Sequence, residues 1–127
     1  MEKETILIIE DDKFFRTLIS QKLEKEGFKV LVASDSKETL KVLEEEKPVV
    51  VILDLILPGV DGFEILSILK KDKKTKDIPV IVSSNLGQKE DVDKAMLLGA
   101  VDFMVKVNFT PDEIVNKIKD IIAKKYV

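Results

Sequence analysis

The sequence contains neither cysteine nor histidine, and these two absences exclude several kinds of functional site. Without cysteine there is no disulfide scaffold and no thiolate metal site. Without histidine, a zinc site would have to be built from oxygen ligands alone, which is not how proteins hold zinc. The chain also has no imidazole that could act as a phosphate donor, a general base or a member of a catalytic triad.

Long hydrophobic runs and a strong charge of one sign are missing as well. No apolar run approaches the ~20 residues that a membrane-spanning helix needs, and the charged residues after Met1 do not resemble a signal peptide. The net charge is −3, and acidic and basic residues are interspersed, which gives no basis for nucleic-acid binding. We therefore expect a cytoplasmic protein that binds neither membranes nor nucleic acid.

The composition that remains is that of a folded domain. Hydrophobic residues make up 45% of the 127 residues and charged residues 35%, which is typical of a globular chain rather than a disordered one. A chain of this length matches the commonest domain size and can bury a sizeable core. We expect one domain over residues 1–127 and no output domain.

Five short apolar runs alternate along the chain with five segments of helical periodicity. The runs that predict strands are residues 5–9, 28–33, 49–53, 80–82 and 101–105. The predicted helices lie at about residues 13–26, between the cap Ser36 and Pro48, from Gly62 to Leu69, at 88–98 and from Pro111 onward. Five consecutive βα units predict an α/β fold with a doubly wound parallel sheet and helices on both faces.

Polar residues follow four of the five predicted strands, at the sheet edge where ligands of such folds bind. They are Glu10, Asp11 and Asp12 after the first strand, Asp54 after the third, Ser83, Ser84 and Asn85 after the fourth, and Lys106 after the fifth. Clustered carboxylates repel one another unless a cation lies between them, and a set of oxygen ligands suits Mg²⁺. A carboxylate beside such a metal can act as a nucleophile and form an acyl phosphate.

Four segments of the sequence resemble the signature blocks of bacterial response-regulator receiver domains. They are residues 6–12 (ILIIEDD), 54–62 (DLILPGVDG), 79–84 (PVIVSS) and 99–106 (GAVDFMVK). The blocks occur in the family's order, and the strand–helix alternation between them extends the resemblance over the whole chain. Each block is moderately specific, and the four together are highly specific. The resemblance implies a flavodoxin-like (βα)5 fold with the sheet order 2-1-3-4-5.

The resemblance also implies which residues carry out phosphoryl transfer. Asp54 would be the phospho-acceptor, and Lys106 would contact the phosphoryl group. Glu10, Asp11, Asp54 and the backbone carbonyl of Ile56 would hold Mg²⁺ or Mn²⁺.

A receiver domain is a switch rather than a turnover enzyme, and the resemblance implies the parts of that switch. Ser84 would be the switch hydroxyl, and Phe103 the aromatic side chain that turns inward when Ser84 moves. The phosphoryl group would come from a histidine kinase or a phosphotransfer protein. The face built from the fourth helix, the fifth strand and the fifth helix would then signal to a downstream effector protein.

Two exposed apolar features point to protein contacts. Helical spacing places Phe14 on the outer side of the first helix, where receivers dock the histidine-bearing partner, so Phe14 is a candidate anchor. The run Met96-Leu97-Leu98 exceeds what one buried helical stripe requires. A partner contact or a homodimer contact would account for it, and we expect a monomer or a weak homodimer.

Three positions depart from the family pattern. Glu10 replaces the more usual aspartate, Phe103 lacks the hydroxyl of a tyrosine, and Val107 stands where receivers have a proline. Receivers place a cis peptide before that proline. A cis peptide before valine costs about 2.5–4 kcal/mol, against about 0.5–1 kcal/mol before proline, so we predict a trans Lys106–Val107 peptide and a shifted loop after it.

Three other functions are compatible with a predicted α/β fold of this kind. A haloacid-dehalogenase-type phosphatase also uses an aspartate nucleophile after a strand, but it needs a second carboxylate two residues on, where this chain has Ile56. A flavin or nucleotide binder would need a glycine-rich phosphate loop after the first strand, where three carboxylates stand instead. A degenerate receiver that binds partners without phosphorylation stays open, although the intact acidic set argues against it.

Overall fold

Strands and helices alternate throughout this computed structural model, which describes residues 3–125. The strands are β1 (Thr5–Ile9), β2 (Lys29–Ala33), β3 (Val50–Leu53), β4 (Ile56–Leu57), β5 (Val60–Asp61), β6 (Val80–Ser84) and β7 (Asp102–Val105). The helices are α1 (Lys13–Lys25), α2 (Ser36–Glu45), α3 (Gly62–Lys71), α4 (Lys89–Leu97) and α5 (Pro111–Lys125), with a 3-10 turn at Lys106–Asn108.

Five of the strands form one parallel sheet in the order β2-β1-β3-β6-β7. Counted along the chain, this is the predicted order 2-1-3-4-5, so the predicted flavodoxin-like fold is confirmed. The chain reverses its direction of winding between β1 and β3, and ligands of doubly wound sheets bind at such a point.

Each face of the sheet has its own core. The α1/α5 face packs residues such as Ile8, Ile52 and Ile81 against these two helices, and the opposite face packs against α3, α4 and, in part, α2. The central strands β1, β3 and β6 are buried on both faces, which explains why apolar residues dominate their sequences.

The structure corrects the predicted cap of α2. Asp35, not Ser36, is the N-cap, because its carboxylate accepts a hydrogen bond from the backbone N–H of Glu38 at 2.8 Å. Ser36 is the first helical residue. The side chain of α2 that lies fully inside is Thr39, whose hydroxyl donates to the carbonyl of Asp35 at 2.7 Å.

A two-stranded antiparallel hairpin, β4–β5, follows the third strand of the main sheet and was not predicted from the sequence. Its turn places Gly59 at a φ of +65°, a conformation that favours glycine. The pair Asp61-Gly62 is typical of a turn with glycine at an unusual backbone angle, but the φ of Gly62 is not positive, so that interpretation is wrong. Gly62 is required by close packing instead, because a Cβ atom there would lie 2.4 Å from the Cα of Leu55 and 2.7 Å from the carbonyl oxygen of Asp54.

The peptide after Lys106 follows the prediction made from Val107, and the shifted loop stays a prediction. No cis peptide occurs among residues 3–125, so the Lys106–Val107 peptide is trans, as predicted. The loop then forms the 3-10 turn, and a capping box starts α5. In that box the N–H of Thr110 donates to Glu113 at 2.8 Å, and the N–H of Glu113 donates to the Thr110 hydroxyl at 3.2 Å. Among the described helices, none is both long enough and apolar enough to cross a membrane.

Candidate functional site

The strand register places four polar side chains of the predicted site on the α1/α5 face, at the carboxyl edge of the sheet. These side chains are Glu10, Asp54, Ser83 and Lys106, and each lies two residues beyond a core residue of that face, namely Ile8, Ile52, Ile81 and Met104. Because side chains alternate between the two faces of a strand, the four converge above the core of that face.

Asp54 follows the central strand β3 and is almost completely buried, with 6% of its surface exposed. Its Oδ1 accepts a hydrogen bond from the backbone N–H of Ile56 at 3.1 Å, and its Oδ2 accepts one from the Lys106 ammonium at 2.9 Å. These two bonds fix the orientation of the Asp54 carboxylate.

Lys106 reaches from the edge strand to two carboxylates. Its ammonium donates to Asp54 and to Oε1 of Glu10, and it lies 4.5 Å from the centroid of the Phe15 ring. Burial alone would lower the pKa of Lys106, but the hydrogen bonds and charges of Glu10 and Asp54 outweigh burial and raise that pKa. Lys106 is therefore held as a cation between two carboxyl groups.

Glu10 directly follows β1, and only 2% of its surface is exposed. Burial raises the pKa of its carboxyl from 4.5 to about 7; the hydrogen bond from Lys106 opposes this rise and the charge of Asp54 adds to it. The second oxygen of Glu10 accepts from the backbone N–H of Asp12 at 3.1 Å. The Arg16 guanidinium donates to the Glu10 carbonyl at 3.2 Å and to the Ser34 hydroxyl at 3.0 Å, which fixes the backbone.

The acidic residues fit a divalent cation. Glu10, Asp11 and Asp54 each offer a carboxylate oxygen, and these oxygens lie within 4.8 Å of one another. Asp11 is exposed, whereas the other two are buried, so one side of the cluster faces solvent. A small set of carboxylate ligands with an open side is the arrangement in which Mg²⁺ keeps several waters. The Ile56 carbonyl as a further ligand stays a prediction.

The metal-free protein is expected to lose stability as the pH rises from 4.5 to about 7, because of Glu10. The folded state binds the Glu10 proton more tightly than the unfolded chain does, so it holds more protons in this window and the free energy of unfolding falls with pH. The free energy of unfolding should fall by roughly 1–3 kcal/mol across this window. Urea unfolding in EDTA across this window measures it.

Two variants control the experiment on Glu10. Glu10→Gln should remove most of this slope, whereas Glu45→Gln, at an exposed position of α2, should keep it. A stability that rises through the window, or an unchanged slope in Glu10→Gln, would contradict the assignment.

The two predicted switch residues lie on the other face of the sheet. Ser84 is completely buried, and its hydroxyl accepts a hydrogen bond from the backbone N–H of Leu86 at 3.3 Å. Phe103 is half-buried and packs against the core of that face, beside Val82 in the register. Ser84 and Phe103 are thus close to the site but not part of the ion cluster.

The predicted contact residues are exposed. Phe14, near the start of α1, is 79% exposed, and in α4 Met96 is 43% and Leu97 is 88% exposed. Two residues near the site, Phe15 and Arg16, were not singled out from the sequence. Helical periodicity places Phe15 in the apolar stripe of α1, but it does not show that the ring lies beside an ammonium group.

Comparisons with known proteins agree on one family. The family model described as "response regulator receiver domain" matches residues 6–119. The phosphate regulon transcriptional regulatory protein PhoB of Pseudomonas aeruginosa is 33% identical over 124 residues, which cover 98% of this chain and 54% of that protein. The chain thus spans about half the length of the curated relatives that it matches.

Solved structures show the same fold. The CheY-like response regulator receiver domain protein from Methanospirillum hungatei has a TM-score of 0.89 at 26% identity, covering 98% of each chain. The Mn²⁺-bound form of response regulator Rcp1 has a TM-score of 0.81 at 25% identity, covering 91% of each chain.

Proposed function

The chain belongs to the response regulator receiver domain family, and we propose that it accepts a phosphoryl group on Asp54 from a histidine kinase or a phosphotransfer protein. Receiver domains are the signalling switches of phosphorelays, and phosphorelay signal transduction is the function of this chain. The observation that carries the assignment to Asp54 is its position: a buried carboxylate held by the Lys106 ammonium, within a cluster of two further carboxylates.

The proposed step is a phosphoryl transfer to the carboxylate of Asp54. An oxygen of Asp54 forms the new bond to phosphorus, while the bond from phosphorus to the donor breaks and the donor leaves with its electron pair. With phosphohistidine the broken bond is P–N, and with acetyl phosphate it is P–O. Lys106, already 2.9 Å from the carboxylate, neutralises part of the charge on the transferred group.

Glu10, Asp11 and Asp54 would hold Mg²⁺ or Mn²⁺. When bound, the ion would neutralise the carboxylates and the phosphoryl oxygens that face them. The fit rests on the oxygen-only ligand set described above, and the Mn²⁺-bound relative has a similar fold. Lys106 would then be shared between Asp54 and the transferred group rather than between two carboxylates.

The signal is proposed to leave through the face formed by α4, β7 and α5. Ser84 would move toward the phosphoryl group, and Phe103, half-buried on the same face of the sheet beside Val82, would turn inward. A downstream effector would read the altered face. The cytoplasmic location and the oligomeric state, monomer or weak homodimer, stay predictions.

Intact-mass measurement after incubation with acetyl phosphate and Mg²⁺ tests this function. We expect the mass of one added phosphoryl group, and no addition when EDTA is in excess. A protein that stays unmodified while it remains folded, and that still binds a partner, would instead be a degenerate receiver. Full modification in EDTA would contradict the role of the metal.

Loss of the phosphoryl group is expected to be slow, because the residues that flank the path of water are apolar. Ile56 is 54% exposed beside Asp54, and Leu86 is half-buried two residues after Ser84. Neither side chain can orient a water for in-line attack. Ile56→Asn and Leu86→Glu should each speed the decay of purified phosphoprotein, by roughly ten- to a hundredfold if one water-orienting contact is gained. Decay of the parent within seconds, or unchanged decay in both variants, would contradict this explanation.

Phe14 is proposed to anchor the histidine-bearing partner. Phe14→Ser should slow transfer from a phosphorylated phosphotransfer protein and leave labelling by acetyl phosphate unchanged, because the side chain is exposed and outside the ion cluster. Ile68→Ser, at an exposed apolar position of α3 on the opposite face of the sheet, is the matched control and should leave both rates unchanged. If Phe14→Ser and the parent accept the phosphoryl group from the phosphotransfer protein at equal rates, Phe14 does not contribute to the interface.

A further inference from the structure

One buried hydroxyl next to the site has no hydrogen-bond partner. Ser83 is 1% exposed, and its Oγ finds neither donor nor acceptor among the residues that the structure describes. The only other such side-chain atom in that part of the chain is Oγ of Ser20, in the middle of α1. Buried hydroxyls without partners are rare and costly, so their positions call for an explanation.

The register places Ser83 beside Asp54. Leu53 of β3 pairs with Val82 of β6, so the next residues along these two strands, Asp54 and Ser83, are neighbours. They share the α1/α5 face, because Ile52 and Ile81, two residues earlier, both pack in its core. Neighbouring strands lie about 4.8 Å apart, which brings a serine hydroxyl within reach of a group carried by the adjacent side chain.

Ser84 cannot replace Ser83 on this face. Side chains alternate along β6, and Ser84 lies on the face of Val82, where its hydroxyl accepts from the N–H of Leu86. The side chains of Ser83 and Ser84 therefore lie on opposite faces of the sheet at its carboxyl edge.

Phosphorylation of Asp54 adds oxygens that need hydrogen-bond donors, and Ser83 is a neighbour of Asp54. The unmodified carboxylate already has two, the N–H of Ile56 and the ammonium of Lys106. A phosphoryl group adds three strongly accepting oxygens and further negative charge. A hydroxyl hydrogen can rotate toward any acceptor that is near. Among the described residues, the Ser83 hydroxyl has no hydrogen-bond partner that would hold it in another direction.

We propose that Ser83 is a phosphoryl-binding residue, whose hydroxyl donates a hydrogen bond to the group carried by Asp54. The inference rests on the proposed function and adds to it a second serine, acting from the face opposite that of Ser84. In the unphosphorylated protein the hydroxyl is desolvated without compensation, and phosphorylation supplies its partner. The same side chain thus disfavours the unphosphorylated state and favours the phosphorylated one.

Ser83→Ala separates these two effects. Removing an unpaired buried hydroxyl should raise the melting temperature of the unphosphorylated protein by roughly a few degrees. The rate of phosphoryl uptake from acetyl phosphate in Mg²⁺ should nevertheless fall by roughly ten- to a hundredfold, because a donor to a charged group is lost. A merely structural role for Ser83 would change the melting temperature alone.

Ser20→Ala is the matched control, because it removes the other unpaired buried hydroxyl at a position in α1 outside the site. It should raise the melting temperature in the same way and leave the uptake rate unchanged. Ser83→Thr keeps the hydroxyl and should retain an uptake rate within about threefold of the parent. Uptake by Ser83→Ala at the parent rate, or uptake by Ser83→Thr as slow as that by Ser83→Ala, would overturn the inference about Ser83 and leave the proposed function standing. Failure of the parent protein to take up any phosphoryl group would overturn the proposed function, and with it this inference.

Discussion

Asp54→Asn is expected to abolish phosphoryl uptake from acetyl phosphate in Mg²⁺. An amide oxygen is a poor nucleophile, and the substitution also removes one of the three carboxylates that would hold the metal. Asparagine keeps the size of the side chain, and its single amide oxygen can accept one of the two hydrogen bonds, from the N–H of Ile56 or from the ammonium of Lys106, so the fold should persist. Intact mass and the melting temperature are measured on the same sample.

The control for Asp54 is the same substitution at an exposed aspartate. Asp77→Asn, in the loop before β6, should take up one phosphoryl group at the parent rate. Fragmentation of the labelled parent should place the added mass in the peptide that contains Asp54. Uptake by Asp54→Asn at the parent rate, or label found only on another residue, would show that the acceptor has been misidentified.

Lys106→Met is expected to damage both stability and phosphoryl uptake. The ammonium is the cation that the structure shows between Glu10 and Asp54, and its side chain is only 11% exposed. Removing one partner of a buried ion pair leaves uncompensated charge, which typically costs about 3–5 kcal/mol. The free energy of unfolding should fall by this amount in EDTA above neutral pH. Uptake in Mg²⁺ should slow by roughly a hundred- to a thousandfold, as when one preorganised donor to a transition state is lost.

Two comparisons isolate the cause of the effect at Lys106. Lys117→Met breaks an exposed ion pair with Asp102 of 2.9 Å, and it should cost less than about 1 kcal/mol. The double variant Lys106→Met, Glu10→Gln removes one of the two buried carboxylates that Lys106→Met leaves without a cation. It should recover part of the stability but not the uptake rate. If Lys106→Met is as stable as Lys117→Met in EDTA, the buried cluster does not depend on the ammonium.

Local patterns were sufficient to predict the sheet. Runs of β-branched residues such as residues 5–9 are typical of strands buried on both faces, and the helical periodicity between them indicates crossovers. A parallel sheet then brings every strand's carboxyl end to one edge. This is why the sequence alone groups Glu10, Asp54 and Lys106, although 96 residues separate Glu10 from Lys106.

Local patterns were less informative about the turns. The roles of Gly62 and Ser36 were misread because the sequence shows the residue type but not what approaches it. Gly62 is needed because the backbone of Leu55 passes close by, and Asp35 rather than Ser36 has the extended backbone of a cap. The hairpin β4–β5 has strands of two residues, which are too short to produce a periodic pattern.

The sequence by itself determined the fold class, the strand order implied by the family resemblance and the chemical set at the sheet edge. Only the tertiary structure decided how that set is connected: Lys106 bridges Glu10 and Asp54, the Phe15 ring lies beside its ammonium, and the Ser83 hydroxyl is left without a partner. Periodicity reports which face of an element is buried, because burial follows from local geometry. Hydrogen-bond partners depend on distances of tenths of an ångström between side chains far apart in the chain, and those distances are set only when the whole sheet and its helices pack together.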